Sequence, residues 1–332
     1  MAAVPDSAPL PAKVRLAPYL TMLNRGPRGR MLGLAPDTAV AVDDLSEALA
    51  AMIDEVEATV PTADLVARAV RRGATREQAE DLLRELLRAE VLVDPARLSR
   101  QAARRASSTV LVVAGGPVGC GVATGLAQAG VGDVRVQMHG RVGVCDLGTG
   151  LVAADRGRLF RDAVVDAVRR VAPKARCSTG TVLGTRPDLV VLADTLAAHP
   201  AQLAVLHSEA VPHLSVRLRD GVGVVGPLVL PGRSACLACL DGHRRDRDPM
   251  WPTIAVQLID RPGSGQPAAA AAVAALGTAQ ALLALDEPGS TPPPTLNATL
   301  ELDVIRGTMV RRRWSPRPDC GCGARLTAIA DT

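Results

Sequence analysis

The sequence predicts an α/β protein of two domains, a small α+β domain followed by a larger Rossmann-like α/β domain. A βαβ pattern predicts the second: residues 109–114 are an apolar run of buried-strand type, a glycine-rich turn and a helical segment follow, and residues 134–138 form the next apolar run. Residues 188–195 repeat the buried-strand pattern and carry an acid near their end, where parallel sheets usually present functional groups. With 332 residues, 48% of them hydrophobic, the chain is long enough for two cores.

The first domain is predicted over residues 16–95, after a Pro- and Ala-rich disordered arm of residues 1–15. Short extended segments are expected at 16–23, 30–34 and 38–42, then three helices, then a short strand at 91–93. The helices begin near residues that can cap an N-terminus, and the third has the spacing of a capping box. These residues are Asp43 or Asp44, then Thr62, then Thr75 with Gln78. The order has the outline of a winged helix, a fold that binds DNA or peptides.

Charge distinguishes these two occupations. The third helix, within residues 75–90, carries five acidic and three basic side chains, so it is not the basic helix that phosphate contacts demand. The formal net charge of +4, from 38 basic and 34 acidic residues, is too balanced to indicate a nucleic acid. Peptide binding is therefore favoured over nucleic acid binding, and a helical domain that only packs on its neighbour stays open as an alternative.

The chain start has no basic segment followed by an apolar one, which predicts a cytoplasmic protein. The most apolar run, residues 268–285, is about long enough to span a bilayer. It is mostly alanine and is interrupted by Gly277, Thr278 and Gln280. A buried helix is therefore expected, and no membrane partner.

A polar, Arg-rich linker or exposed helix is expected at residues 96–108, before the second domain at 109–330. Its first turn contains Gly115, Gly116 and Gly119, and such turns place free backbone amides at a helix N-terminus, where phosphates bind. Pro117 removes one of these donors. Residues 137–140 hold no carboxylate for a ribose, which argues against an NAD-dependent dehydrogenase. A purely architectural turn stays open.

The seven cysteines include two close pairs, Cys236 with Cys239 and Cys320 with Cys322. Four thiolates arranged as two knuckles are the usual way to close a tetrahedral structural zinc site. An odd number of cysteines in an apparently cytoplasmic chain argues against a disulfide framework. Structural zinc is predicted, with unrelated buried thiols as the alternative.

Residues 110–142, VLVVAGGPVGCGVATGLAQAGVGDVRVQMHGRV, resemble the opening of a ThiF-type (ubiquitin-activating-enzyme-like) adenylating domain. The resemblance places Ala114 and Gly119 at the first and last glycines of the family's turn. It places Met138 and Gly140 at the family's two acidic positions, and Arg141 at its following arginine.

The resemblance also implies what is lost from the adenylation site. Residues 146–150 lie where the family has its phosphate-binding arginine, and Phe160 lies near its usual lysine. Asp194 matches the metal-associated Asp, the one candidate for a residual catalytic role. ATP and Mg²⁺ binding is therefore doubtful, because the phosphates and the metal need charged partners. If any nucleotide site survives, it consists of Gly115, Gly116, Gly119, Arg141 and Asp194, with Arg156 or Arg158 as substitutes.

Two further segments, GPLVLPGRSACLACLDGHRRDRDPMWP (226–252) and RPDCGCGA (317–324), resemble the ThiF-like partner proteins of azole-forming cyclodehydratases of thiazole/oxazole-modified microcin pathways. That resemblance implies a PqqD-like winged helix that binds the leader of a ribosomal precursor peptide. It implies a ThiF-like domain that docks a YcaO-type cyclodehydratase, and a homodimer.

An extended leader would add a strand to the edge of residues 38–42 and pack on the third helix. The peptide-binding residues expected from this arrangement are Val40, Val42, Leu83 and Leu86. Two other functions stay open: an active adenylyltransferase acting on a peptide or protein C-terminal carboxylate through Asp194, and a zinc-dependent DNA-binding regulator.

Overall fold

The computed structural model describes residues 9–286 and 292–325 and divides the chain into two compact units, residues 1–101 and 102–332. The predicted linker, residues 96–108, is mostly helical: α4 spans Pro95–Ser107 and buries none of its side chains. The domain limits of residues 95 and 109 remain predictions, since α4 crosses the boundary between the two units.

In the part of unit 1 that the structure describes, three α-helices precede α4, and the strands form two small antiparallel sheets. Its strands are β1 (Lys13–Leu16), β2 (Met22–Asn24), β3 (Arg30–Leu32), β4 (Val40–Val42), β5 (Val60–Pro61) and β6 (Leu92–Val93), and its helices α1 (Glu47–Asp54), α2 (Thr62–Arg71) and α3 (Arg76–Arg88). The sheets have the orders β5-β1-β6 and β2-β3-β4. The apolar stripes of the helices meet in one core, as the helical spacing predicts.

The end of the predicted arm is ordered. Residues 1–8 lie outside the described residues, but Val14 in β1 is fully buried, and β1 is the central strand of its sheet. The hydroxyl of Thr62 donates a hydrogen bond to the Pro11 carbonyl at 2.5 Å. The prediction of an arm through residue 15 is therefore wrong at its C-terminal end, because apolar residues there complete the core.

The helix starts test the capping predictions, and the one for Thr62 is wrong, because Pro61 is the N-cap of α2 and Thr62 is the first residue of the helix. Asp43 and Asp44 do not cap α1, because Ser46 is the N-cap and its hydroxyl accepts an amide hydrogen bond. The capping box of Thr75 and Gln78 at the start of α3 is confirmed, with both reciprocal hydrogen bonds present.

Unit 2 is built on an eight-stranded sheet of order β14-β13-β12-β11-β10-β7-β8-β9. Its strands are β7 (Thr109–Ala114), β8 (Asp133–Met138), β9 (Arg176–Thr179), β10 (Leu189–Ala193), β11 (His213–Arg219), β12 (Val222–Val229), β13 (Ala298–Asp303) and β14 (Thr308–Arg313). Its helices are α5 (Pro117–Gln128), α6 (Phe160–Val171), α7 (Val182–Thr185), α8 (Pro200–Ser208), α9 (Leu237–Arg247), α10 (Trp251–Leu258) and α11 (Pro267–Asp286).

The five strands from β11 to β9 are parallel, which confirms the predicted βαβ unit, and β12 to β14 continue the sheet antiparallel. The strand order reverses beside β7, because the chain adds β8 and β9 on one side of it and β10 on the other. In open α/β sheets such a reversal leaves a crevice at the carboxyl ends of the strands, where ligands bind. The glycine-rich turn after β7 and Asp194 after β10 both lie there.

Helices cover both faces of this sheet. The larger core joins α5, α6 and α11 to one face, and a smaller core joins α7 and α8 to the other. Side chains of β10 alternate between the two, so that Val191 faces the larger core and Leu192 the smaller one.

Of the described helices, α11 is long and apolar enough to cross a membrane by length and composition alone, and half of its apolar stretch is buried inside the protein. It lies close to α5: a Cβ on Gly125 would come within 2.8 Å of the Thr278 hydroxyl, and one on Gly121 within 2.7 Å of Ala274. The helix is a core element, as its composition predicts.

Candidate functional site

The glycine-rich turn joins β7 to α5 at the sheet's topological switch point. Gly115 and Gly116 form the turn, Pro117 is the first residue of α5, and Gly119 lies in its first turn. A Cβ on Gly119 would lie 2.1 Å from the Ala114 side chain, so only glycine permits this packing of helix on strand. The turn has the local geometry that directs amides of a helix N-terminus toward an anion.

The carboxylate of Asp194 accepts hydrogen bonds from amides of this helix N-terminus. Asp194 follows β10 in the left-handed region, with φ +69°, and its side chain turns onto the start of α5. Oδ1 accepts a hydrogen bond from the Val118 amide at 3.0 Å, and Oδ2 accepts one from the Gly119 amide at 3.0 Å. The protein thus supplies its own anion to the position where a phosphate-binding turn would hold a phosphate.

Asp194 is only 3% exposed, and its pKa reflects that burial. Burial raises the pKa to about 6, although the backbone amides of the turn favour the charged form and lower it in part. The carboxylate is therefore charged at neutral pH, in an environment that makes the charge costly.

Of the other positions at which the family resemblance implies losses, Gly140 is exposed, and the rest hold uncharged residues that pack or form hydrogen bonds within the protein. Met138 and Phe160 are both buried, at 4% and 3% exposed. The hydroxyl of Thr149, at the position of the family's phosphate-binding arginine, donates to the Pro117 carbonyl at 2.7 Å. Thr149 thereby supports the first turn of α5, and none of these residues offers a positive charge to a phosphate.

Of the arginines expected to bind a nucleotide, Arg141 and Arg158 are engaged within the protein, and Arg156 is exposed. Arg141 donates to the Gly157 carbonyl at 2.8 Å. Arg158 forms ion pairs with Asp155 at 2.7 Å and with Asp166 at 2.5 Å. Asp155 is 1% exposed, so the Arg158 pair secures the segment before α6.

The four paired cysteines come together as predicted. Cys236 is the N-cap of α9 and Cys239 lies in its first turn, while Cys320 and Cys322 lie in the turn after β14. The sulfur of Cys236 lies 3.8 Å from that of Cys239 and 3.6 Å from that of Cys320, and the sulfurs of Cys239 and Cys322 are 3.6 Å apart. All four lie within 4.8 Å of one another.

This geometry fits a tetrahedral metal ion. Metal–sulfur bonds of about 2.3 Å in a tetrahedron place the sulfurs ~3.8 Å apart. Burial raises the pKa of the Cys236 thiol, so several thiolates so close together need a cation to stabilise them. The Arg317 amide donates to the Cys239 sulfur at 3.4 Å, and His243 donates to or accepts from Ser315 instead of joining the cluster. The described cluster is a candidate metal site.

The residues expected to bind a peptide divide into two pairs. Val40 and Val42 lie in β4, are half-buried, and pack against the unit 1 core. Leu83 and Leu86 are 0% and 2% exposed and belong to that core. The prediction that these two leucines contact a peptide needs correction, because the apolar stripe of α3 faces inward.

Sequence reasoning missed a buried arginine on β11, Arg217, which is 4% exposed. The signal was an arginine at an alternate position of the strand sequence HLSVRLR, on the face opposite Leu214 and Val216. Composition and charge runs do not identify such a residue, since its burial depends on the helices that cover the sheet.

Comparison with solved structures identifies the same fold. The chain resembles Escherichia coli MccB determined with ATP, with 14% identity, coverage of 94% of this chain and 100% of that one, and a TM-score of 0.72. The structure of the microcin C7 biosynthetic enzyme MccB in complex with N-formylated MccA matches with 14% identity, the same coverage and a TM-score of 0.71. PaaA matches with 14% identity over 90% of this chain and 99% of that one, with a TM-score of 0.61.

No curated protein matches the chain. At these identities the structural matches establish the fold and leave the activity open. Residues 90–324, most of the chain, match the ThiF family. The α/β fold predicted from the βαβ pattern is therefore confirmed, and the chain belongs to the ThiF family.

Proposed function

We propose that this protein is a noncatalytic scaffold that binds the leader of a ribosomal precursor peptide and presents it to a YcaO-type cyclodehydratase. The observation that carries the proposal is the Asp194 carboxylate on the amides of Val118 and Gly119, which fills the anion position of the glycine-rich turn. A protein that neutralises this position internally has no free cradle for ATP phosphates.

Unit 1 supplies the proposed peptide-binding surface, a winged helix related to PqqD. Within the residues that the structure describes, β4 pairs with β3 and with no other strand, and Ala41 in its middle is exposed. A leader added to this edge would gain main-chain hydrogen bonds, with Val40 and Val42 beneath it. MccB, a protein of the same fold, was solved in complex with MccA, and this supports the proposal that the present chain binds a peptide.

The cysteine cluster is proposed to hold one structural zinc ion. Thiolate ligation by four cysteines leaves no open coordination position for a substrate, which suits a structural and not a catalytic ion. The ion would supply the positive charge that lets Cys236, Cys239, Cys320 and Cys322 ionise together. Its place is at the start of α9, away from the glycine-rich turn in sequence.

Calorimetric titration of the protein with ATP and Mg²⁺ tests the proposal, with Asp194→Ala as the paired variant. We expect no heat from the native chain. The variant should show weak binding if any, because its turn amides are freed. The opposite pattern, with ATP bound by the native chain and lost in the variant, would make Asp194 a metal or nucleotide partner and overturn the scaffold.

Binding of a fluorescent leader peptide tests the proposed surface. The double change Val40→Thr with Val42→Thr is expected to weaken binding about tenfold, because two methyl contacts worth ~0.8 kcal/mol each are lost. Val60→Thr is the matched control, since Val60 packs half-buried on the same core from β5. An equal loss in the control would assign the effect to core stability.

An active adenylyltransferase is the second candidate, favoured by the family match and by an acid that survives at the end of β10. It would activate a C-terminal carboxylate. Mg²⁺-dependent pyrophosphate exchange is its signature, and detection of that exchange with a peptide substrate would replace the scaffold proposal with this one.

A further inference from the structure

A cavity of about 240 Å³ lies on the face of the unit 2 sheet opposite α5 and α11. Its floor is β11, where Ser215 and Arg217 alternate with Leu214 and Val216, which face the larger core. Its walls come from α9, α10 and the segment after β10, and include Leu196, Leu237 and Leu258. It is thus a pocket separate from the face on which Asp194 meets α5.

Arg217 stands in this pocket without a carboxylate partner. It is 4% exposed, and within the described residues its guanidinium makes one hydrogen bond, to the Ser215 hydroxyl, and no ion pair. The other buried arginine of the described chain, Arg30, is paired with Asp54 through two hydrogen bonds. A buried charge without a partner costs several kcal/mol, so the exception needs a reason.

The neighbouring charges are already committed to one another. Asp241 accepts from Arg244 at 3.0 Å and from the Trp251 indole at 3.0 Å. The Arg244 guanidinium also lies 4.9 Å from the centre of the Trp251 ring. Arg219 is paired with Glu301 at 3.2 Å. Within the described residues, none of these groups forms an ion pair or a hydrogen bond with Arg217.

The lining fixes the class of ligand. It carries three arginines (Arg217, Arg219 and Arg244) and two aspartates (Asp220 and Asp241). Arg244 is paired with Asp241 and Arg219 with Glu301, and Asp220 is exposed to solvent, so within the described residues Arg217 is the lining arginine that has no ion-pair partner. One unpaired positive charge suits a monoanion, and a planar guanidinium fork suits a carboxylate. The volume is below the ~300–1,000 Å³ of pockets for drug-sized ligands, and much of the remaining lining is Leu and Ala, so the ligand is small and apolar apart from its carboxylate.

We propose that this pocket binds the carboxylate of a short apolar group through Arg217. Either a free small acid or the end of a peptide chain carries that chemistry. Burial lowers the pKa of Arg217 to about 9, with Arg244 and Arg219 contributing, and the group stays protonated at neutral pH. The inference does not depend on the proposed scaffold function, because the pocket and the glycine-rich turn lie on different faces of the sheet.

Thermal unfolding of the full chain tests it, with sodium 3-methylbutanoate and its neutral amide as matched probes. We expect the acid to raise Tm by ~3 °C at ten times its Kd, and the amide to leave Tm unchanged. A tetrapeptide ending in leucine, with a free or an amidated end, distinguishes a chain end from a free acid. No response to either carboxylate, or equal responses to acid and amide, overturns the proposal.

Arg217→Met supplies a second, independent readout. We expect the variant to unfold about 2–4 °C higher than the native chain, because an unpaired buried charge is removed, and to lose the response to carboxylate. Arg25→Met is the control: it removes one positive charge that is paired with Asp43 in unit 1, outside the pocket lining, and should keep the response. A lower Tm for Arg217→Met together with a retained response would make Arg217 a structural partner of Ser215 and overturn the proposal.

Discussion

The glycine-rich turn and the Arg217 pocket are two anion-attracting regions on the same sheet that differ in what neutralises them. At the turn, amides of α5 are met by Asp194, a carboxylate of the chain itself. In the pocket, Arg217 has a hydroxyl partner and no carboxylate. The glycine-rich turn, which the sequence motif identifies, is thus compensated by a charge of the chain itself. The Arg217 pocket, which no motif identifies, is not compensated in this way.

The cysteine cluster follows the same logic with the opposite sign. The four thiols lie within 4.8 Å of one another, and the described cluster includes no positively charged side chain. Ionisation of these thiols therefore requires a bound cation. A site's demand for a ligand is thus set by the charge that the fold leaves uncompensated. The three predictions below test that rule.

The largest effect is expected from Cys322→Ser, which removes one thiolate from the cluster. We expect the bound metal to fall from one ion per chain toward zero, and Tm to fall by about 10 °C or more, because metal binding contributes directly to folding. Metal content by mass spectrometry and thermal unfolding measure both. Cys145→Ser is the control, since Cys145 is exposed and isolated; an equal Tm loss in that variant would contradict a metal site.

A smaller effect is expected from Asp194→Ala. The change leaves the Val118 and Gly119 amides without their acceptor and should lower the free energy of unfolding by about 2–4 kcal/mol. Chemical denaturation measures the loss. Inorganic phosphate should restore part of this stability in the variant and none in the native chain. Failure of phosphate to act would mean that the vacated position is not an anion site.

The smallest effect is a pH dependence that belongs to the same carboxylate. The folded pKa of Asp194, about 6, lies above its unfolded value of about 3.9, so the folded state binds the proton more tightly. The favourable contribution of the protonated form is complete below about pH 4 and is lost as pH rises to about 6, by ~2–3 kcal/mol. The measurement is the free energy of unfolding of the native chain and of Asp194→Ala at each pH, and the difference between the two isolates the contribution of Asp194. A difference that stays constant between pH 4 and 6 would contradict the prediction.

What the sequence predicted correctly depends on local spacing. The capping box of Thr75 and Gln78 and the two cysteine pairs are short-range patterns, and the buried strands around the glycine-rich turn are continuous apolar runs. Spacing alone does not identify the N-cap where several suitable residues are adjacent. Asp43, Asp44 and Ser46 are all good N-caps, and Ser46 is the N-cap because the core-facing stripe of α1 begins just after it.

What the sequence could not predict depends on distant residues. Asp194 meets Gly119 across 75 positions, and the contact requires the strand order that places β10 beside β7. The sequence alone is compatible with Leu83 and Leu86 lining a groove or lying in the core, and the packing of α3 places them in the core. Whether Arg217 has a carboxylate partner depends on residues from several elements that pack around it. No single segment of the sequence therefore predicts that it lacks one.

Helix α9 has a double role that links two of these regions mechanically. Its first turn carries Cys236 and Cys239, and its next residues include Asp241 and Arg244 in the wall of the Arg217 pocket. Leu237, between the two cysteines, lines the same pocket, so the cysteines and this wall of the pocket belong to one helix of 11 residues. Whatever anchors the cysteines therefore also positions this wall, and loosening the anchor is expected to change the shape of the pocket.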